Sequence, residues 1–176
     1  MGSTATLPAL KTHPKFIFFT DFDGTITQQD SNDFLTDNLG FGPELRERNN
    51  IDVLTLKRDF RDSFQEMLDS VSANAPFDKC IDVLIKNIKL DEGFKAFFDW
   101  AGENNVPIVI LSGGMEPIIR ALLVNYLGEE AAHSMQIVSN QVAPRREGGS
   151  INEVGGWTIV YHDERFVFLP FVGVCA

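Results

Sequence analysis

Lys15-Phe16-Ile17-Phe18-Phe19-Thr20-Asp21-Phe22-Asp23-Gly24-Thr25-Ile26-Thr27 is the stretch on which the fold turns. Phe16 to Thr20 is an unbroken apolar and β-branched run, too short for a helix, which predicts a strand buried on both faces of a parallel sheet. The strand ends on acids. Asp21 and Asp23 are two residues apart, so in an extended chain both carboxylates leave on the same side, and Gly24 permits a sharp turn after them. Open parallel sheets gather ligands beyond the carboxyl ends of their strands, so a site is expected here.

Two neighbouring carboxylates repel unless a cation or a shared proton compensates. Magnesium suits them, because it takes one or two carboxylates and keeps water or substrate phosphate in its other positions. An aspartate facing a phosphate ester is able to attack phosphorus, and a second acid two residues on is placed to protonate the leaving oxygen. The competing reading is an Asp-Gly pair that merely caps a turn. A long apolar strand ending in a double acid favours chemistry.

A second stretch has the same build. Val106-Pro107-Ile108-Val109-Ile110-Leu111-Ser112-Gly113-Gly114 is an apolar strand ending in a small hydroxyl residue, followed by a helical pattern through Ile118, Ile119, Leu122, Leu123 and Tyr126. If the helix starts at this junction, its free N–H groups face an anion, with Ser112 and the Gly113 N–H gripping a phosphate oxygen. Standing alone, Ser112 reads equally well as a plain helix cap.

Taken together, Asp21-Phe22-Asp23-Gly24-Thr25 and the Ser112-Gly113-Gly114 strand resemble the first two motifs of the haloacid dehalogenase (HAD) superfamily, in the form found in its phosphoserine-phosphatase-like branch. The resemblance covers roughly residues 15–164. It implies an α/β fold, a HAD-like Rossmannoid parallel-sheet core with an inserted α-helical cap. It further implies a magnesium-dependent phosphatase working through an aspartyl-phosphate on a small phosphorylated metabolite. In these terms Asp21 is the nucleophile, Asp23 the acid and base, Asp21 and Asp23 the Mg2+ ligands, and Thr25, Ser112 and Gly113 the phosphate grip.

Composition sets limits. The chain has 176 residues, enough for one core with a modest insertion, and a net charge of -10, which argues against a nucleic-acid or anionic membrane surface. Cys80 and Cys175 are far apart and fit no metal spacing, so reduced thiols and a cytoplasmic location are expected. Residues 1–14 lack the charged-then-apolar build of a signal peptide and read as a loose arm.

Between the two motifs the periodicity is helical. A short helix carries Phe34, Leu35 and Leu39 and stops at Gly40. Gly42-Pro43 opens another segment. An amphipathic helix from about Asp52 carries Leu56, Phe60, Phe64, Met67, Leu68 and Val71, and another after Pro76 carries Phe77, Cys80, Ile81, Leu84, Ile85 and Ile88. Residues 28–90 therefore read as an insertion with its own apolar centre, between core segments 15–27 and 91–164. By resemblance it is a cap that closes over the substrate and selects it. Asp33, Arg58 and Arg61 are the cap residues that could face the pocket, against the alternative of a solvated helix surface. Gln136–Val142 and Trp157–Tyr161 predict an antiparallel hairpin around a Gly-rich loop.

The resemblance also calls for a later lysine and a further acidic pair. Neither follows Glu164, where the chain reads Arg165-Phe166-Val167-Phe168-Leu169-Pro170-Phe171-Val172-Gly173-Val174-Cys175-Ala176. The expectation is a truncated phosphatase with an atypical apolar tail, 165–176, and little or no turnover. The alternative function is a catalytically dead phosphate-binding or regulatory fragment. An aspartyl-phosphate receiver module is disfavoured by the long helical insert.

Overall fold

The structure, a computed structural model, describes residues 13–165; the N-terminal arm up to residue 12 and the tail from residue 166 lie outside them. Strand β1 (Phe18–Thr20) leads into five helices, α1 (Ser31–Leu39), α2 (Pro43–Leu54), α3 (Phe60–Ser72), α4 (Phe77–Asn87) and α5 (Phe94–Glu103). Then come β2 (Ile108–Met115), α6 (Glu116–Leu127), α7 (Glu129–Ser134), β3 (Gln136–Pro144), β4 (Trp157–Val160) and a short 3-10 turn (His162–Arg165). The sheet order is β1-β2-β3-β4. β1 and β2 are parallel with Thr20 beside Ile110, β2 and β3 are parallel, and β3 pairs antiparallel with β4, Val142 facing Ile159. This is the α/β architecture with a parallel core that the two apolar strands predict, and the hairpin is present.

Local signals account for most boundaries. Asp30 caps α1 by accepting from the N–H groups of Asn32 and Asp33, and Gly40 ends it. Pro43 occupies the first turn of α2, where its missing N–H costs nothing. Phe64, Met67, Leu68 and Val71 of α3 are all buried, as their spacing requires.

Three expectations are corrected. β1 is not buried on both faces: Phe18 is 43% and Phe19 57% exposed, because β1 is an edge strand with β2 on one side and no described strand on the other. The amphipathic helix begins at Phe60 and not near Asp52. Leu56 is 92% exposed with φ 57°, and Asp59 caps the new helix by accepting from Arg61 N–H. The insert has no apolar centre of its own; Leu35, Phe64, Leu68, Phe77 and Leu84 belong to one contiguous cluster with Phe22, Ile110, Ile119 and Trp157.

The insert leaves and re-enters through adjacent segments. Thr27 bridges Leu90, Gln28 N–H donates to Lys89 O at 2.9 Å, and Asp91 N–H donates to Ile26 O at 2.8 Å. Its far side is fastened to the hairpin. The Trp157 indole N–H donates to Ala75 O at 3.0 Å, Ser72 Oγ donates to Trp157 O at 2.7 Å, and Gln65 Nε2 donates to Thr158 Oγ1 at 3.2 Å. Any movement of α3 relative to the sheet must therefore carry β4 with it or break these bonds.

Candidate active site

The turn after β1 is held by the residues between the acids. Phe22 and Ile26 are fully buried, and Phe22 O accepts from the N–H groups of Thr25, Ile26 and Thr27, with Gly24 at φ 69° completing the reversal. Burying Phe22 leaves its two neighbours toward the open end of the sheet, the alternation that a strand end imposes. Asp21 is exposed, and its Oδ1 accepts from Phe22 N–H at 2.7 Å.

Asp23 lies against the start of α1. Ser31 N–H donates to its Oδ1 at 2.8 Å, and Asn32 Nδ2 donates to its Oδ2 at 3.1 Å. Burial pushes the Asp23 carboxyl up to about 6, and the nearby Asp30 carboxylate adds to the rise; the Ser31 hydrogen bonds oppose it, and Asp21 adds a little more.

The second motif meets these acids. A Cβ placed on Gly114 would stand 3.2 Å from Asp23 Oδ2, 3.2 Å from Ser112 Oγ and 3.5 Å from Asn32 Nδ2. One small space is thus walled by both motifs and by the first turn of α1. Gly114 N–H donates to Ser112 Oγ at 3.0 Å. The Gly113 position is open: a Cβ there would meet nothing within 4 Å, and the Gly113 carbonyl accepts from Asn140 Nδ2 at 2.7 Å. Asn140 in turn accepts from His162 N–H at 2.9 Å, so β3 fixes the loop from behind. Ser112 does not cap a helix: β2 runs on to Met115, irregular between Leu111 and Met115, and α6 starts at Glu116. Ser112 thus sits on an extended segment, and the helix N-terminus lies four residues further along.

The structure brings Asp21, Asp23, Ser112 and Gly113 to one end of two neighbouring strands, with Thr25 exposed in the turn beside them. The three cap candidates are engaged elsewhere. Asp33 pairs with Arg46 at 2.9 Å, Arg58 pairs with Glu66, and Arg61 lies over the Tyr161 ring at 4.1 Å with Asp163 3.7 Å away. Sequence reasoning did not single out Asn32, Asn140 or Gly114 as site residues. The Ser-Gly-Gly run was a usable signal for Gly114; nothing local marks the two asparagines, which arrive from a helix start and a neighbouring strand.

Among the described residues no group of three or more His, Cys, Asp or Glu is arranged to hold a metal. Each Asp23 carboxylate oxygen accepts one protein hydrogen bond, and Asp21 Oδ1 accepts from Phe22 N–H, which leaves, among the described residues, Asp21 Oδ2 as the site carboxylate oxygen with no protein donor and the Asp23 main-chain carbonyl as a second oxygen a hard cation could take. That is the minimum magnesium accepts, with water and a phosphate oxygen for the rest.

The description "haloacid dehalogenase-like hydrolase" fits residues 18–155. The chain is 48% identical over 150 residues to polyol phosphate phosphatase PYP1 of Saccharomyces cerevisiae, covering 85% of this chain and 58% of that protein. It is 48% identical over 146 residues to Pdp3-interacting factor 1 of Schizosaccharomyces pombe, covering 83% and 60%. It therefore spans less than two thirds of the length of these relatives. The fold is similar to a HAD family hydrolase from Salmonella enterica serovar Typhi (TM-score 0.61, 19% identity, covering 82% of this chain and 44% of that one). It is likewise similar to a substrate-bound phosphoserine phosphatase (TM-score 0.60, 16% identity, covering 82% and 63%). With the family pattern matching most of its length and both motifs meeting at one strand end, the chain belongs to the haloacid dehalogenase-like hydrolase family.

Proposed function

We propose that this site is built for phosphomonoester hydrolysis with Mg2+, on a small phosphorylated metabolite of the polyol phosphate class. The observation that carries the reading is the space at Gly114, where a Cβ would stand 3.2 Å from both Asp23 Oδ2 and Ser112 Oγ, so the two motifs face one another across a glycine. The name of the Saccharomyces cerevisiae relative supports the choice of substrate class.

In this reading an Asp21 carboxylate oxygen attacks phosphorus, and the bond from phosphorus to the ester oxygen breaks. Asp23, protonated, gives its proton to the departing alkoxide. Water then attacks the aspartyl-phosphate, Asp23 takes a proton from it, and inorganic phosphate leaves with Asp21 restored. An acid near pH 6 suits both halves, because it is protonated often enough to donate and ionised often enough to accept. Mg2+, held by Asp21 and the Asp23 carbonyl, would supply charge stabilisation for the phosphoryl oxygens. Ser112 Oγ and the exposed Gly113 position hold the phosphate, and Asn32 keeps Asp23 facing it.

Hydrolysis of glycerol phosphate and of an aryl phosphate by the purified chain with Mg2+, lost in Asp21→Asn, tests the reading. No turnover with either substrate at any Mg2+ concentration rejects it. One observation favours a second reading, a phosphate-binding fragment without turnover: among the described residues no group of three or more His, Cys, Asp or Glu is placed to hold a metal ion. Tight vanadate binding without hydrolysis selects that alternative.

A further inference from the structure

We propose that Asn140 is a positioning residue for the phosphate grip: it locks the peptide between Gly113 and Gly114, and that peptide aims the Ser112 hydroxyl proton into the site. The role rests on reading Ser112 as a phosphate ligand.

The need for such a residue arises in the ladder between β2 and β3. Leu111 faces Val138 and Met115 faces Asn140, so four steps along β2 are matched by two along β3. Ser112, Gly113 and Gly114 therefore bulge out of register, and their main-chain groups must find partners other than the ladder. The Gly113 carbonyl finds the Asn140 side chain, whose Nδ2 donates to it at 2.7 Å. The opposite edge of the same planar peptide carries the Gly114 N–H, which donates to Ser112 Oγ at 3.0 Å. One rigid plane is thus held at both ends, by a side chain of β3 and by the hydroxyl of the grip.

Asn140 suits the place because its amide both accepts and donates. His162 N–H donates to Asn140 Oδ1 at 2.9 Å; that N–H has no lone pair to offer, and the Gly113 carbonyl has no proton to offer. These two neighbours fix which end of the amide faces which. The residue is 8% exposed, and at that burial an amide left unpaired at either end is costly. All the bonds run in one direction, from His162 N–H to Asn140 Oδ1, from Asn140 Nδ2 to Gly113 O, and from Gly114 N–H to Ser112 Oγ. Each amide that accepts at oxygen becomes a better donor at nitrogen, and the series ends on the serine oxygen. With the Gly114 N–H lodged on one lone pair, the Ser112 proton is turned away from that nitrogen, and a phosphate oxygen bound beside Ser112 is an acceptor for it. Without Asn140 the peptide is free to rotate, and the direction of the hydroxyl is lost.

Vanadate titration of the purified chain in a two-by-two set of variants reads the role. Asn140→Ala should raise the vanadate dissociation constant about tenfold, the loss expected when a hydrogen bond to a charged group is misaimed. In a Ser112→Ala background the same substitution should change it less than about twofold, because a residue acting through Ser112 has nothing left to aim. A residue that only stabilises the fold weakens binding by the same factor in both backgrounds. Amide hydrogen exchange, followed by NMR without ligand, reads the peptide itself. Asn140→Asp, kept ionised at about pH 8, retains the acceptor for His162 N–H but sets an oxygen against the Gly113 carbonyl. Gly114 exchange should then accelerate about tenfold or more while the α6 amides keep their rates. This variant decides the matter if Asn140→Ala does not fold. Unchanged vanadate affinity in Asn140→Ala, equal losses in the two backgrounds, or unchanged Gly114 exchange in Asn140→Asp overturns the proposal. Turnover of an aryl phosphate alongside any of these results removes the role of Asn140 alone. Absence of both turnover and vanadate binding in the unsubstituted chain removes the phosphatase reading and this role with it.

Discussion

Asp23 is a site residue whose ionisation the fold opposes. Its carboxyl is held near 6 against an ordinary 3.8, by burial first and then by Asp30. A carboxyl raised in the folded state adds stability below its unfolded value and loses that stability as pH climbs through 6. The difference amounts to at most about 3 kcal/mol at pH 8. Asp23→Asn should therefore raise the midpoint of urea denaturation at pH 8 in chelator, and the gain should vanish at pH 4; an equal gain at both pH values would contradict the assignment. Gly114 makes the complementary case for size. An added methyl enters the space shared by Asp23 and Ser112, so Gly114→Ala should weaken vanadate binding at least tenfold while leaving thermal stability nearly unchanged. Cys80 is buried and its thiol is pushed up to about 12 by burial, with Asp78 adding. It should resist thiol reagents in the native chain and react on unfolding, as mass spectrometry of the labelled peptides would read.

At the scale of elements, α1 is the piece that joins the site to the insert. Its first turn faces Asp23, and further along Asp33 and Asp37 both accept from Arg46 of α2, the second through a two-pronged contact at 2.7 and 2.9 Å. The Arg46 side chain is only 14% exposed, and the two carboxylates hold its guanidinium firmly protonated. Arg46→Ala leaves Asp33 and Asp37 facing each other with no cation between them and should cost about 1–3 kcal/mol in urea denaturation, with Arg46→Lys recovering only part because one ammonium cannot reproduce the fork. Helix starts and stops were legible wherever a side chain signals them locally, as with Asp30, Gly40 and Pro43. The start of α3 was not, because Leu56 falls on the apolar period yet points into solvent; a periodic pattern reports spacing, not what lies opposite. The cap of α3 is Asp59, which the apolar spacing runs straight past.

At the scale of the whole molecule, Trp157 ties the hairpin to the insert: it is fully buried, packs on Phe77 at 5.3 Å, and donates to Ala75. Core and insert share one apolar cluster, so they should unfold together, with tryptophan fluorescence and far-UV circular dichroism giving coincident transitions. Trp157→Ala should cost about 3–5 kcal/mol, and separated transitions in the unsubstituted chain would refute the shared core. The sequence by itself determined the two motif strands, their order, the acids at Asp21 and Asp23, the run of helices between the strands and the hairpin. Each of these follows from a local rule, whether apolar run length, period or turn chemistry. Only the tertiary structure decided that β1 has a described strand on one side alone, that the helices between β1 and β2 share their core with the sheet, that Asn32 and Asn140 meet the Asp23 and Gly113 segments, and that Arg46 takes up Asp33. Those outcomes depend on which residues far apart in the chain become neighbours in space, and no pattern confined to one stretch of sequence carries that information.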